Sequence, residues 1–268
     1  MDTCGNRPWP DLAAVQAVKL LDHFGHAGDV FFRLRSYLPL LLLPAFVLSA
    51  GAGATTGPTW QAVCEAAGFL LSLAGFGIRV ITIGSAPPGT SERSTRDPRA
   101  SLLNTSGAYS VVRHPLYLGN TLVALGLAVF TATWYLPVIV ALAGLLYHER
   151  ICVREEVFLE AKFGDAFRSW AGAVPALLPA LSRYRPSSGR FQWRKVVARE
   201  FHALFVLGAG FLFLDVLRGL FATGQPAARP IWTALFAVTG LLFLVLSALK
   251  KWTSLLRVSE SAPGPTGA

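Results

Sequence analysis

The sequence predicts an all-α integral membrane protein, and three observations support this fold class: hydropathy, six apolar segments, and unevenly distributed basic residues. The chain has 268 residues, of which 53% are hydrophobic and 15% are charged, and its mean hydropathy is +0.49. An ordinary soluble domain carries about a quarter charged residues. This composition therefore indicates a chain that is largely embedded in a membrane.

Six apolar segments follow one another along the chain, and each of them predicts a helix. They cover residues 37–54, 60–84, 116–130, 135–147, 201–221 and 231–249. A straight helix needs ~20 residues to span a bilayer, and the third and fourth segments are shorter than this. We expect these two to form a short helical hairpin, with the third helix extended back toward Ser110. About five to six transmembrane helices are therefore predicted.

The basic residues predict which side of the membrane each loop occupies. Residues 55–59 and the turn at 131–134 contain no Lys or Arg, whereas most basic residues lie in the loops on the other side. The positive-inside bias then places both termini, and the loops between 85 and 115 and between 148 and 200, in the cytoplasm. Arg229 is the exception, in an outer loop, and Arg79 and Arg218 are expected to snorkel from helix ends. Asp215 has the spacing for a helical ion pair with Arg218.

The net charge of +9 also limits the possible partners. Basic residues beside apolar helices are typical of contacts with anionic headgroups, so we predict a bilayer partner and no nucleic acid. The cysteines Cys4, Cys64 and Cys152 lie far apart without a CxxC spacing. We therefore predict that they are reduced thiols packed as small apolar groups, and that they form neither a disulfide framework nor a metal site.

The stretch "YSVVRHPLYLGN", residues 109–120, places charged side chains where an apolar helix begins. Pro115 suits a first helical position, because the N–H that proline lacks has no partner there. Arg113, His114 and the free N–H groups of the first turn then form a positive corner for a carboxylate or phosphate. Tyr117 adds an aromatic face, and Gly119 marks a spot where another group can approach closely.

Two adjacent acids, Glu155 and Glu156, follow in "REEVFLEAKFGDAFRSW". A hairpin returns to the membrane face from which it started, so these acids are expected to meet Arg113, His114 and Tyr117. Together they would suit a zwitterion. The alternative is a solvated helix face, in which the acids pair with Arg150 or Lys162 at helical spacing.

These two stretches resemble the signature of the isoprenylcysteine carboxyl methyltransferase and phospholipid methyltransferase superfamily. Its pattern is R-H-P-x-Y-x-G, then a pair of glutamates, then a Phe-Gly step, and the resemblance covers about residues 68–179. It implies a membrane enzyme that uses S-adenosylmethionine without a Rossmann domain. It also implies a cofactor site on the cytoplasmic face. The implied cofactor-binding residues are His114, Tyr117, Gly119, Glu155 and Glu156, and the implied catalytic or acceptor-holding residues are Arg113 and Glu156.

The resemblance also bears on the acceptor. The loop at 87–107 is similar to that of a bacterial branch that includes lipid A phosphate methyltransferases, which implies a bacterial inner membrane. We expect a lipid or lipid-linked acceptor that is methylated on a carboxylate or phosphate oxygen. Arg93, Arg96 and Arg99 favour such an anion, unless they reflect the positive-inside bias alone. N-methylation of a phospholipid amine remains open, with Glu156 or His114 as the base. Many members of the superfamily have tyrosines after the Phe-Gly step, where this chain has Phe167 and Trp170.

Hydropathy and resemblance together divide the chain into five predicted segments. They are a cytoplasmic N-terminal segment (1–36), the membrane methyltransferase core (37–181), a basic interfacial linker (182–200), a C-terminal helical pair (201–250) and a disordered tail (251–268). Two other classes remain open: a membrane NADPH-dependent reductase of related architecture, and a transporter or scaffold. A transporter is expected to carry polar residues at mid-membrane depth, whereas Glu65, Asp215 and Arg218 lie near helix ends.

Overall fold

The computed structural model describes residues 37–87, 101–187, 189–254 and 256. Within these residues the chain forms helices and loops, together with one isolated β-bridge between Gly107 and Arg185. The predictions for the N-terminal segment 1–36, for Cys4, for Arg93, Arg96 and Arg99, and for the tail from 257 onward lie outside the described residues.

The α-helices follow the apolar segments closely. In chain order they are α1 (Leu43–Ala54), α2 (Pro58–Ser85), α3 (Pro115–Phe130), α4 (Tyr135–Phe163), α5 (Asp165–Ala173), α6 (Trp193–Thr223) and α7 (Pro230–Trp252). A 3-10 helix, Leu38–Leu42, leads into α1. By length and composition, α2, α4, α6 and α7 can cross a membrane, and the apolar stretches Leu38–Ala54 and α3 are shorter. The predicted all-α integral membrane fold is confirmed.

Proline and glycine set several of the helix ends. Helix α3 begins at Pro115, because proline occupies a first-turn position without losing a hydrogen bond. The expected extension of this helix back to Ser110 is therefore wrong, and the 3-10 turn Ala108–Ser110 precedes it instead. Gly164, with φ +52°, ends α4 in a conformation that favours glycine. The stretch that contains the Phe-Gly step is thus divided between α4 and α5.

Helices α3 and α4 form the predicted hairpin through a tight turn at residues 131–134. The Thr131 hydroxyl donates to the Ala128 carbonyl over 2.7 Å, and Ala132 has a φ of +61°. The indole N–H of Trp60 donates to the Ala132 carbonyl over 3.0 Å. This turn is consequently fixed to the start of α2.

The closest helix contact joins α2 to α3 through glycines. Gly75 lies against Gly119, and a Cβ added at Gly75 would be 2.6 Å from the Gly119 carbonyl oxygen. Seven residues away on each helix, Gly68 lies against Gly126 in the same way. The backbones approach this closely because glycine has no side chain.

The main hydrophobic core joins the expected methyltransferase helices to the C-terminal helical pair. Its fully or nearly buried members are Phe130 of α3, Leu207, Phe211 and Leu214 of α6, and Trp232 of α7. The Phe130 ring lies 5.0 Å from Phe211 and 4.9 Å from Trp232, both edge to face. The C-terminal pair therefore shares one core with the preceding helices.

The basic linker expected at 182–200 is partly helical, because α6 begins at Trp193. Polar residues in its first turns are buried by tertiary contacts that hydropathy does not register. The Lys195 ammonium donates to the Ala86 carbonyl over 2.8 Å, and Glu200 is 2% exposed against Arg79. Arg79 therefore forms a buried ion pair of 2.7 Å, and the expectation that it snorkels is wrong.

A second group of charges lies at the opposite end of α2, α6 and α7 and is called here the outer charge cluster: Glu65, Asp215, Arg218 and Arg229. Arg218 pairs with Glu65 and also donates to the Phe130 carbonyl over 2.5 Å. Asp215 pairs with Arg229 at 2.5 Å. The helical ion pair predicted between Asp215 and Arg218 is therefore wrong, because each residue has a partner on another element.

Candidate functional site

The loop at residues 107–114, called the site loop, carries Arg113 and His114 to the start of α3. Its backbone is fixed by the chain that follows α5. The Arg113 amide donates to the Pro175 carbonyl over 2.9 Å, and the Ala180 amide donates to the Val111 carbonyl over 3.0 Å. These contacts hold the two cationic residues beside the last turns of α4.

Glu155 and Glu156 of α4 meet the side chains of the RHP motif directly. Glu156 accepts from the Arg113 guanidinium at 2.9 Å and lies 2.8 Å from Nε2 of His114. Glu155 accepts from the Tyr117 hydroxyl at 2.5 Å and lies 3.6 Å from Nδ1 of His114. The predicted convergence of these five side chains is thus present in the structure. The alternative of a solvated face does not describe Glu156, which is held by two partners on the site loop.

His114 is buried, with 7% of its surface exposed. Burial lowers its pKa, but hydrogen bonds with Cys152, Glu155 and Glu156 outweigh this effect and hold the pKa well above its usual value. The imidazole is therefore positively charged at neutral pH. The site then combines two cations, Arg113 and His114, with two carboxylates.

Three further residues belong to this site and were missed by sequence reasoning: Thr121, His148 and Cys152. The Thr121 hydroxyl lies 2.9 Å from Nδ1 of His148, and the His148 ring is 5.0 Å from the Tyr117 ring. Cys152 is buried and free, and it contacts His114. The signal was available in the spacing, because positions 148, 152, 155 and 156 lie on one face of a helix.

Gly119 faces away from the other site residues. It lies two positions after Tyr117, which is a rotation of about 200° around an α-helix. A Cβ at Gly119 would be 2.8 Å from the Gly75 carbonyl oxygen and 2.7 Å from Cγ of Arg79. The structure therefore gives Gly119 a packing role against α2, and a contact with a cofactor stays a prediction.

Of the two positions that depart from the family pattern, one is buried and the other contacts the site loop. Phe167 is buried, with 4% of its surface exposed. The Trp170 indole N–H donates to the Tyr109 carbonyl over 3.1 Å. Where the family pattern has tyrosines, this chain therefore has two aromatic side chains that take part in packing.

One donor of the site is buried and has no hydrogen-bond partner among the described residues, namely Nε of Arg113. A buried donor of this kind favours an incoming acceptor such as a carboxylate or phosphate oxygen. In the described part of the chain, no group of three or more His, Cys, Asp or Glu side chains is arranged to hold a metal ion.

Fold and site together define an integral membrane protein with a compact charged site at one end of a helical hairpin. The profile of the phospholipid methyltransferase family matches residues 65–166, which contain all the predicted site residues. Through this segment, about two fifths of the chain, the protein is similar to the phospholipid methyltransferase family.

Three curated relatives match part of the chain. The chain is 41% identical over 86 residues to the cobalt-zinc-cadmium resistance protein CzcN of Cupriavidus metallidurans, covering 32% of this chain and 39% of the relative. It is 36% identical over 90 residues to the nickel-cobalt-cadmium resistance protein NccN of Alcaligenes xylosoxydans xylosoxydans, covering 34% and 42%. It is 30% identical over 80 residues to the protein-S-isoprenylcysteine O-methyltransferase of Schizosaccharomyces pombe, covering 30% and 34%.

The chain thus spans about two fifths of the length of the first two relatives. No solved structure matches this chain.

Proposed function

We propose that this protein is a membrane methyltransferase that uses S-adenosylmethionine and methylates a carboxylate or phosphate oxygen of a lipid or lipid-linked acceptor. The observation that carries the proposal is the meeting of Arg113 and His114 with Glu155 and Glu156 at the end of the α3–α4 hairpin. This arrangement lies inside the segment that matches the phospholipid methyltransferase family.

The charges of the site suit the amino-acid part of the cofactor, which carries one carboxylate and one ammonium. Protonated His114 provides a positive charge beside the carboxylate, and Glu155 provides a carboxylate for the ammonium, which leaves the buried Nε donor of Arg113 for the acceptor. The Tyr117 and His148 rings add aromatic surface beside these charges. When bound, S-adenosylmethionine supplies a methyl group on a positively charged sulfur.

The state of His114 favours an anionic acceptor. An amine must lose a proton before it can be methylated, and a protonated His114 cannot accept this proton. The other candidate base, Glu156, is already held by Arg113 and His114, which makes it a weaker proton acceptor. Hydrogen bonds with Cys152, Glu155 and Glu156 outweigh the effect of burial and keep His114 in the charged form. A carboxylate or phosphate needs no base, and its negative charge is cancelled during transfer, so removal from water favours the reaction. Arg113 is the residue that orients this anion, through its planar guanidinium.

The membrane setting supports lateral entry of the acceptor. The site lies at the end of the apolar hairpin, and we propose that this end faces the cytoplasm of a bacterial inner membrane, as the basic loops predict. The acceptor then enters from the inner leaflet, and the donor enters from the aqueous side. The name of the Schizosaccharomyces pombe relative, an O-methyltransferase of protein S-isoprenylcysteine, supports a lipid-linked acceptor.

Calorimetric titration with S-adenosylhomocysteine in detergent supplemented with lipid tests the cofactor site. The unaltered protein is expected to bind in the micromolar range. Glu156→Gln and His114→Ala each remove a charge-assisted hydrogen bond worth ~1.5–3 kcal/mol, so affinity should fall about tenfold or more. Glu149→Gln, an exposed change on the same helix, is the matched control and should leave affinity unchanged.

A labelled donor with carboxylate, phosphate and amine lipids then identifies the acceptor class. Methylation of amine lipids alone would refute the oxygen acceptor. Folded protein that binds NADPH and does not bind S-adenosylhomocysteine would refute the methyltransferase itself and favour the reductase.

A further inference from the structure

Residues 175–194, called here the surface segment, expose large apolar side chains between α5 and α6. Leu178 is 81% exposed, Leu181 77%, Tyr184 59% and Trp193 64%. Ser188 of this segment lies outside the described residues. Exposure of so many large apolar side chains to water is unfavourable, so we expect another surface to cover them.

The same segment is strongly and uniformly basic. Arg183, Arg185, Arg190 and Arg194 are all exposed, and the sequence from 175 to 194 contains no Asp or Glu. Aromatic and aliphatic side chains interleaved with arginines are typical of chain that lies at the boundary between anionic headgroups and acyl chains.

The position of the surface segment in the fold favours a lipid surface over a protein partner. The segment runs directly into α6, a helix long and apolar enough to cross the membrane, at Trp193. Its exposed side chains therefore lie next to the bilayer without any further component. Its charge is also complementary to an anionic leaflet.

Backbone hydrogen bonds connect the surface segment to the site loop. The Arg113 amide donates to the Pro175 carbonyl over 2.9 Å, and the Gly107 amide donates to the Arg185 carbonyl over 2.8 Å. In the reverse direction, the Arg185 amide donates to the Ser110 hydroxyl over 2.8 Å. These hydrogen bonds hold the surface segment and the site loop against each other.

We propose that the surface segment binds the anionic lipid surface at the site end of the membrane and thereby orders the site loop that presents Arg113 and His114. The lipid contact follows from the segment itself, whereas its consequence for catalysis rests on the proposed methyltransferase function. Anionic lipid would then increase the activity of the enzyme in addition to surrounding its membrane helices.

Amide hydrogen exchange of the full chain in nanodiscs tests this proposal. One nanodisc contains phosphatidylcholine alone, and the other also contains phosphatidylglycerol. Exchange is followed in peptides that cover residues 107–114 and 175–185. Each arginine near an anionic surface strengthens attraction about fivefold, so protection in both peptides should be at least about fivefold higher with phosphatidylglycerol.

Two pairs of substitutions separate charge from apolar insertion. Arg183→Gln combined with Arg190→Gln is expected to reduce the difference between the two nanodiscs at least about fivefold, while Arg185 and Arg194 remain. Leu178→Asn combined with Leu181→Asn should lower protection in both. The matched control is Arg168→Gln, because Arg168 is exposed but already paired with Glu160 and Asp165. This variant should behave like the unaltered chain.

Equal protection in the two nanodiscs would overturn the proposal, and so would a difference that is undiminished in the double arginine variant. Low protection in every nanodisc would overturn it in favour of a protein as the occupant of this surface. The readout uses no cofactor and no acceptor. A protein that fails to bind S-adenosylhomocysteine but shows the lipid-dependent protection would therefore refute the proposed function and leave the lipid contact standing.

Discussion

Replacement of Gly75 by alanine tests how closely α2 and α3 must approach. The new Cβ would lie 2.6 Å from the Gly119 carbonyl oxygen and 2.8 Å from the Val123 amide nitrogen. Both obstacles are backbone atoms, which cannot rotate away as a side chain can. Favourable contact between two such heavy atoms requires ~3.5 Å, so the two helices have to separate by ~1 Å at this point.

The expected cost comes from two opposing effects. Overpacking of this kind destabilises by ~1–3 kcal/mol, whereas alanine is about 1 kcal/mol better than glycine inside a helix. Gly77→Ala is the matched control on the same helix, because a Cβ at Gly77 would meet no described atom within 4 Å. Both variants gain helix propensity, so the difference between them isolates the overpacking of ~1–3 kcal/mol.

Thermal unfolding in detergent measures this difference. A thiol-reactive fluorophore reports the exposure of Cys64 and Cys152, which are buried in the folded protein, in a Cys4→Ser background. At about 2–4 °C per kcal/mol for a chain of this size, Tm of Gly75→Ala should lie roughly 2–12 °C below that of Gly77→Ala. A Gly75→Ala variant as stable as Gly77→Ala would refute the reasoning. Because α3 carries His114 and Tyr117, Gly75→Ala should also weaken cofactor binding.

Three further predictions concern charged groups. His114 should remain protonated at neutral pH in an NMR titration, because its folded-state pKa lies well above 6.5. The stability that this shift contributes is complete below pH ~6.5 and is lost as pH rises through the higher folded-state value. Arg218→Leu leaves buried Glu65 without one of its cations and should lower stability by ~3–5 kcal/mol in the thiol assay. Glu200→Leu should cost a similar ~3–5 kcal/mol, and the added change Arg79→Leu should recover most of it.

Each of these predictions has a result that contradicts it. A His114 signal that titrates near 6.5 would show that its carboxylate partners do not control its charge. A loss below ~1 kcal/mol for Arg218→Leu is the behaviour of an exposed ion pair and would place this residue in contact with water. For Glu200, a double variant as unstable as the single one would show that the lost stability comes from packing and not from an unpaired buried charge.

Much of the helical framework could be predicted from the sequence. Apolar runs identified every long helix, and Pro115 marked the start of α3 correctly. The start of α6 could not be found in this way, because residues 193–200 include Lys195 and Glu200. These polar residues are buried by partners on α2 and at its C-terminal end, and such partners are not visible in local hydropathy.

The convergence of the site was predictable because a hairpin returns to its own starting face. This geometry brought Glu156 to Arg113 and His114, as expected. His148 and Cys152 were not predicted, because the charge pattern that indicated the site does not include them. Their place in the site follows from helical periodicity, which puts them on the same face of α4 as Glu155 and Glu156.

The ion pairs were the least predictable feature. Spacing along a helix suggested that Asp215 would pair with Arg218, yet Asp215 binds Arg229 and Arg218 binds Glu65. A pair on one exposed helix face contributes only a few tenths of a kcal/mol. At a buried position each charge needs several hydrogen bonds, and these are available only from other elements. Local spacing is therefore a poor guide wherever helices pack together.

Buried charges also explain why the C-terminal helical pair cannot be regarded as an accessory to the site. Glu200 of α6 pairs with Arg79 of α2, and Arg79 in turn contacts Asn120, which lies one turn beyond Tyr117 on α3. At the other end of α6, Arg218 holds Glu65 of α2. Helix α6 is thus bound to α2 at both ends by partners whose loss leaves a buried charge. Since α2 is packed backbone to backbone against α3, the position of α6 is coupled to the helix that presents the site.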